Sequence, residues 1–211
     1  MMITTLLRRS LVFLCIMTAL TCAYTSALTL AGKALFPFQA EGSIIAAKGR
    51  RYSTLLGQPF TAANHLWGRP VSADTTTYTG NGKPLLYAGP SNKSPATAAY
   101  ATTLQERATR IQLAHPEKSG QPIPVDLLTE SGSGLDPHIS PAAAEFQVER
   151  LARATGFTAA EVRRTIAMYT QGRTLGLLGE ARVNVLEVNL ALEGLLPNGR
   201  TVSGASTAAL R

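Results

Sequence analysis

Residues 11–31 read LVFLCIMTALTCAYTSALTLA, 21 residues without a charged side chain. A helix of that length, rising about 1.5 Å per residue, is roughly 32 Å long and matches the hydrocarbon core of a bilayer. Arg8 and Arg9 precede the run and Lys33 follows it. The run predicts a single membrane anchor with a short tail, residues 1–10, before it and one soluble domain, residues 36–211, after it. A cleaved secretory signal is the competing reading. Its apolar stretch is ordinarily about 7–15 residues, shorter than this one, although Thr25-Ser26-Ala27 supplies a small-x-small pattern. Lipidation at Cys22 fits poorly, because Ala19-Leu20-Thr21 lacks a small residue just before the cysteine. Cys15 and Cys22, seven apart and on one helical face, are the chain's 2 cysteines, and they read as packing residues.

The paired arginines before the span favour a cytoplasmic N-terminus, with the domain on the far side of the membrane. The chain carries 20 Lys and Arg against 13 Asp and Glu, for a net charge of +7. These bases are scattered, never clustered beyond Arg50-Arg51 and Arg163-Arg164, and not interleaved with aromatics. That distribution excludes a nucleic-acid surface and fits contact with anionic lipid or an acidic partner.

The soluble part reads as α+β, with short strands followed by a helical C-terminal third. GSIIAA (42–47) and YSTLL (52–56) predict two strands around a turn at Gly49. Residues 57–95 are rich in Gly, Pro, Ser, Thr and Asn and predict an ordered loop, with a β-prone run at 75–78 and a tight turn at Asn81-Gly82. A helix is expected from Ser94-Pro95 to Leu113. Ser140 and Pro141 are an N-cap and a first-turn proline for a helix running to Gly156. Thr158 to Glu161 form a capping box for a second helix, closed by Gly172. Asn184 opens a third, with Val185, Val188 and Leu192 inward, although the alternation Val183, Val185 also suits a strand. The small polar residues from Asn198 onward predict a loose tail.

The segment with the most chemistry is Ser131-Gly132-Ser133-Gly134-Leu135-Asp136-Pro137-His138-Ile139-Ser140-Pro141. It supplies a nucleophile and base only if Ser131 or Ser133 meets His138, as in a membrane-anchored serine hydrolase. As a turn, Gly132 and Gly134 hold unusual backbone angles while Asp136 and Ser140 satisfy local N–H groups. The turn is the stronger reading, since the nucleophile-elbow spacing is missing. No P-loop lysine follows the glycines, and His65, His115 and His138 stand isolated, without metal-ligand spacing. Asp126 and Glu130, near prolines, read as a solvated face. Trp67-Gly68-Arg69-Pro70 is either a partner anchor or a buried aromatic with a satisfied N–H.

In order and spacing, the apolar span, Leu56-Gly57-Gln58-Pro59-Phe60, Trp67-Gly68-Arg69-Pro70, Gly89-Pro90-Ser91-Asn92, SGSGLDPHISPAAAEFQVERLAR (131–153), Leu178-Gly179-Glu180 and VNVLEVNLAL (183–192) resemble the C subunit of the bacterial Kdp-type potassium-transporting P-type ATPase. The resemblance covers essentially the whole chain. Two departures stand out: Val71 replaces a serine, and the run at Ala88 to Pro95 is reduced. The resemblance implies a single-pass accessory subunit of the bacterial inner membrane, with its domain outside the cytoplasm. It implies three partners: a potassium-channel-like subunit, the P-type ATPase catalytic subunit and a very small membrane subunit. Assembly of the pump is the role implied, with help to ATP binding or potassium entry as further possibilities. No cofactor is expected on this chain, and ATP and potassium are handled by the complex. The family-motif residues expected to serve structure or interface are Gln58, Trp67, Arg69, Pro70, Ser91, Asn92, Ser131, Gly132, Ser133, Gly134, Asp136, His138, Ser140, Asn184 and Asn189.

Overall fold

A computed structural model describes residues 2–80 and 83–196. It divides into two units, residues 1–44 and 45–211. The first contains α1, Met2–Leu35, and a short α2, Pro37–Ala40. α1 extends beyond the uncharged run at both ends, and none of its residues is buried. It is the one described helix long and apolar enough to cross a membrane. Thr25 and Thr29 return their hydroxyls to the backbone carbonyls of Thr21 and Thr25, so the helix leaves few polar atoms for hydrocarbon to desolvate.

The second unit is mixed α+β. β1, Ile44–Ala47, and β2, Arg50–Ser53, form a two-stranded ribbon. Lys48 and Gly49 both have positive φ, 48° and 71°, as a two-residue hairpin turn requires. The second strand therefore starts and ends earlier than the predicted 52–56. β3, Ala73–Gly80, pairs antiparallel with β4, Lys83–Ala88, with an irregularity between Asp74 and Tyr78. The predicted turn at 81–82 and the tail from 198 lie outside the described residues. α3, Ala98–Ala114, begins later than Ser94: Ser94 to Thr97 form a turn in which Thr97 donates to the Ser94 carbonyl.

The core lies in the C-terminal half. β5, His138–Ile139, and β6, Thr170–Gln171, flank β7, Arg182–Asn184, in one antiparallel sheet. Ile139 and Val183 pair across it, and both are buried. α4, Pro141–Phe146, and α5, Val148–Thr155, replace the single helix expected over 141–155. The side-chain Nε2 of Gln147 donates to the Ala143 carbonyl, and the Gln147 N–H turns instead to Ala144, which tightens the chain there. The expected caps are present: Ser140 Oγ accepts from Ala143 N–H at 3.2 Å, Thr158 forms its capping box, and Gly156 ends α5 in the left-handed region. α6, Ala159–Met168, stops before Gly172 because β6 begins at Thr170. The ambiguous stretch from 182 is a strand and then a helix, α7, Val185–Leu192, capped by Asn184. Its residues from Val185 to Ala191 are all buried, so it is the central helix of the unit.

Candidate functional site

Residues 131–141 form a junction, and its polar groups face each other locally. Ser131 Oγ and Ser133 Oγ are 3.2 Å apart. Ser133 Oγ accepts from Leu135 N–H and Ser131 Oγ from Asp136 N–H, while Asp136 Oδ1 accepts from His138 N–H at 3.0 Å. The His138 ring faces Asp136, with Nδ1 3.3 Å from Oδ1, and neither serine hydroxyl bonds to it. These hydroxyls shape a turn, and the arrangement gives no support to a serine hydrolase.

The same segment binds three distant pieces of chain through its backbone. Gly57 N–H donates to the Leu135 carbonyl at 2.7 Å, Ser72 N–H to Gly134 at 2.9 Å, and Val185 N–H to Pro137 at 3.0 Å. Gly134 has φ of +72°, and a Cβ there would collide with the Gly89 carbonyl and lie 2.7 Å from that of Ser72. Gly132, by contrast, has no left-handed φ and open space around it. The expectation of special backbone angles at both glycines thus holds at Gly134 alone, because only there do two chain segments approach.

A second cluster fixes the loop 58–71. Asn189, almost fully buried, accepts from Leu66 N–H at 2.6 Å and donates to the Leu66 carbonyl at 3.0 Å. Gln147 treats Trp67 in the same way, accepting from its N–H at 2.8 Å and donating to its carbonyl at 3.0 Å. Two side-chain amides therefore replace the partner strand that this loop lacks, and its buried backbone is satisfied. Asn184, besides capping α7, donates to the Thr54 carbonyl at 3.0 Å. Trp67 is itself buried, with its indole N–H donating to Ala62 at 2.8 Å, which is the core-aromatic arrangement.

Arg150 completes this cluster. Its Nε donates to His115 Nε2 at 2.9 Å and its Nη2 to Gln147 Oε1 at 2.6 Å, and its Nη1 reaches the Ala63 carbonyl. Its guanidinium lies 4.3 Å from the centre of the Trp67 ring. Burial pulls its pKa down to about 10, still leaving it charged at neutral pH. The His115 Nδ1 faces the Ile111 carbonyl at 2.7 Å, so that nitrogen carries the proton and Nε2 is the acceptor for Arg150. Burial lowers the His115 pKa, and the Arg150 charge adds to the effect against the bond to Ile111. Burial likewise lowers that of His138, opposed by Asp136. Protons then bind the unfolded chain more readily than the folded one below about pH 6.5. The stability contributed by these neutral rings is complete above that pH and is lost as the pH falls toward the depressed values. We expect Tm to drop between pH 7.5 and 5.5, and His115→Gln, which keeps an acceptor but no titration, to reduce the drop. An unchanged slope in thermal unfolding of that variant would contradict the assignment.

Arg69 sits where the loop meets α3 and the segment 125–130. Its Nη1 is 3.4 Å from Asp126, and its Nη2 donates to Thr129 Oγ1 and to the Glu130 carbonyl. Arg107 pairs with Glu130 at 2.5 Å, and Asp126 Oδ2 accepts from Ser140 N–H at 2.9 Å. The hydrogen bond to Arg107 is the largest cause holding the Glu130 carboxyl below its ordinary range. Asp126 and Glu130 are thus not a solvated face: both are largely buried, with side chains 15% and 6% exposed, because two arginines distant in sequence close over them. Arg69, Gln58, Pro70, Trp67 and Arg110 line a cleft of about 260 Å³ between the loop and α3. Ser91 is half-buried, and exposed Asn92 takes a φ of +51°; neither reaches this cleft.

Gln147, Arg150 and His115 escaped the sequence reading as a group. The available signal was a glutamine and an arginine flanking the inner stripe Ala144, Val148, Leu151, where apolar residues would be expected.

The family model for KdpC, described as the K+-transporting ATPase c chain, matches residues 7–194. A potassium-transporting ATPase KdpC subunit of Clostridium botulinum (strain Alaska E43 / Type E3) is 50% identical over 175 residues, covering 82% of this chain and 87% of the relative. That of Sorangium cellulosum (strain So ce56) is 50% identical over 190 residues, covering 89% and 97%. That of Clostridium perfringens (strain ATCC 13124) is 46% identical over 194 residues, covering 90% and 98%.

Proposed function

Since the chain belongs to the KdpC family, the c chain of the K+-transporting ATPase, we propose that it serves as the single-pass subunit that assembles and stabilises the pump. It is an accessory subunit and not the catalytic one. The observation that carries the assembly role is how its polar side chains are used. Asn189, Gln147, Arg150 and Asp126 all bond to the chain's own backbone and hold the loop 58–71 and the junction 131–141 in fixed shapes. Such a rigid surface binds a partner without first having to be ordered. The partners under this reading are the channel-like, catalytic and very small membrane subunits, with ATP and potassium handled by the complex. The cleft, at about 260 Å³, lies below the roughly 300–1,000 Å³ typical of small-molecule sites and is small for a nucleotide.

The same reading puts the N-terminus in the cytoplasm and the domain outside, supported by Arg8 and Arg9 before the span. A Thr102→Cys probe on the exposed side of α3, with Cys15 and Cys22 replaced by serine, should react with a membrane-impermeant thiol reagent once only the outer layer is permeabilised. Reaction solely after lysis would place the domain inside. For assembly, a tagged copy extracted in mild detergent should bring down the other pump subunits in fixed stoichiometry. Recovery of the chain alone, from cells that make all of them, would overturn the proposal.

A further inference from the structure

Four arginines gather around Trp67, and the acids among them do not balance the charge. Arg69 and Arg107 are answered by Asp126 and Glu130. Arg150 and Arg110 have no carboxylate partner among the described residues: Glu117, near Arg150, pairs with Arg153, and Glu106, one turn before Arg110 on α3, makes no ion pair with it. Arg110 is exposed, and its guanidinium carbon lies 5.2 Å from the centre of the Trp67 ring, on the wall of the cleft. Arg69 lines the same cleft, but its Nε is buried, so Arg110 is the guanidinium open to an incoming group. Phe60 and Pro59 add apolar lining beside these charges.

We propose that the cleft between the loop 58–71 and α3 receives an acidic side chain of a partner subunit, its carboxylate held by Arg110 and its stem packed on Phe60 and Trp67. The inference rests on the assembly role proposed above. Charge sets the chemistry of the occupant: surplus guanidinium beside an aromatic ring calls for a carboxylate, which an arginine fork binds in two-point fashion. Size sets its origin, because about 260 Å³ admits one inserted side chain rather than a nucleotide-sized molecule. Arginine is also among the residues that dominate the energetics of protein interfaces. The loop is already fixed by Asn189 and Gln147, so the cleft exists before the partner arrives.

The test compares tagged full-length chains co-expressed with the other pump subunits and extracted in mild detergent. Arg110→Glu should lower the recovery of partner subunits at least about tenfold, and Arg110→Lys should stay within about twofold of the parent. Arg164→Glu, an equal charge change on exposed α6, should have no effect. Thermal unfolding of the purified chain should be unchanged in all three, and Arg110→Gln provides a neutral variant if reversal perturbs folding. An acidic-to-lysine substitution in a partner that restores recovery to Arg110→Glu would identify the occupant. Normal recovery with both Arg110→Glu and Arg110→Gln would overturn the proposal. So would saturable binding of inorganic phosphate that requires Arg110 while assembly does not. If the pump assembles and transports without this chain at all, the assembly role fails instead; if the chain is required and Arg110 is not, only the cleft proposal fails.

Discussion

Gly134→Val is expected to abolish accumulation of the folded chain. The substitution forces a β-branched residue to φ of +72° and drives its Cβ into the Gly89 carbonyl and to within 2.7 Å of that of Ser72. Both obstacles are backbone, which cannot rotate aside as a side chain would. Strain of about 1–3 kcal/mol adds to an overpacking cost of similar size, a large part of the roughly 5–15 kcal/mol that holds a domain folded. The hydrogen bond from Ser72 to Gly134 would also be distorted, loosening the connection to β3. Ser133→Ala is the matched control, because its hydroxyl makes only exposed bonds, with Ser131 Oγ and from Leu135 N–H, which water can replace. Chain yield and thermal unfolding measured side by side decide the matter. A Gly134→Val chain that is as abundant and as stable as Ser133→Ala would show that the junction yields more than this geometry allows.

Asn189→Leu should be nearly as damaging, although leucine is close in size and suits an apolar helix. The change strips both partners from the Leu66 backbone at a residue with no solvent exposure. Two buried groups left unanswered cost about 1–3 kcal/mol each. The lost stability should appear as a lower Tm and as proteolytic cleavage within the loop 58–71 beside Leu66, where the contacts of Gln147 to Trp67 and of Arg150 to Ala63 remain. Gln112→Leu, on the exposed face of α3, should leave both unchanged. A stable Asn189→Leu chain with an uncut loop would mean that the amide pairing is dispensable.

These two positions also show what could be read from sequence. Ser140, Thr158 and Asn184 disclosed the starts of α4, α6 and α7, because a cap bonds three residues ahead and the whole motif lies within one short window. The apolar run was equally local, and its period and length needed no tertiary partner. Asp126 and Glu130 were misread because the arginines that bury them lie 57 and 23 residues away. Gln147 meets Trp67 from 80 residues away and Asn189 meets Leu66 from 123, so nothing in either neighbourhood signals the pairing. Gly132 and Gly134 differ for the same reason: identical residues two apart, of which only one is touched by Ser72 and Gly89. The split between α4 and α5 is intermediate. A glutamine in a helical stripe is visible, but its diversion of the Ala143 carbonyl depends on where the Trp67 loop arrives.

The proposed role is that this chain completes the potassium pump and performs no chemistry of its own. It is tested most directly by uptake of rubidium, as a potassium tracer, into potassium-starved cells deleted for the chain and supplied with a plasmid copy. The account predicts that deletion removes high-affinity uptake, that the parent and Ser133→Ala/His138→Ala copies restore it fully, and that Gly134→Val does not. Failure of the Ser133→Ala/His138→Ala copy, with the complex present at normal abundance, would contradict it by making the junction chemical rather than structural.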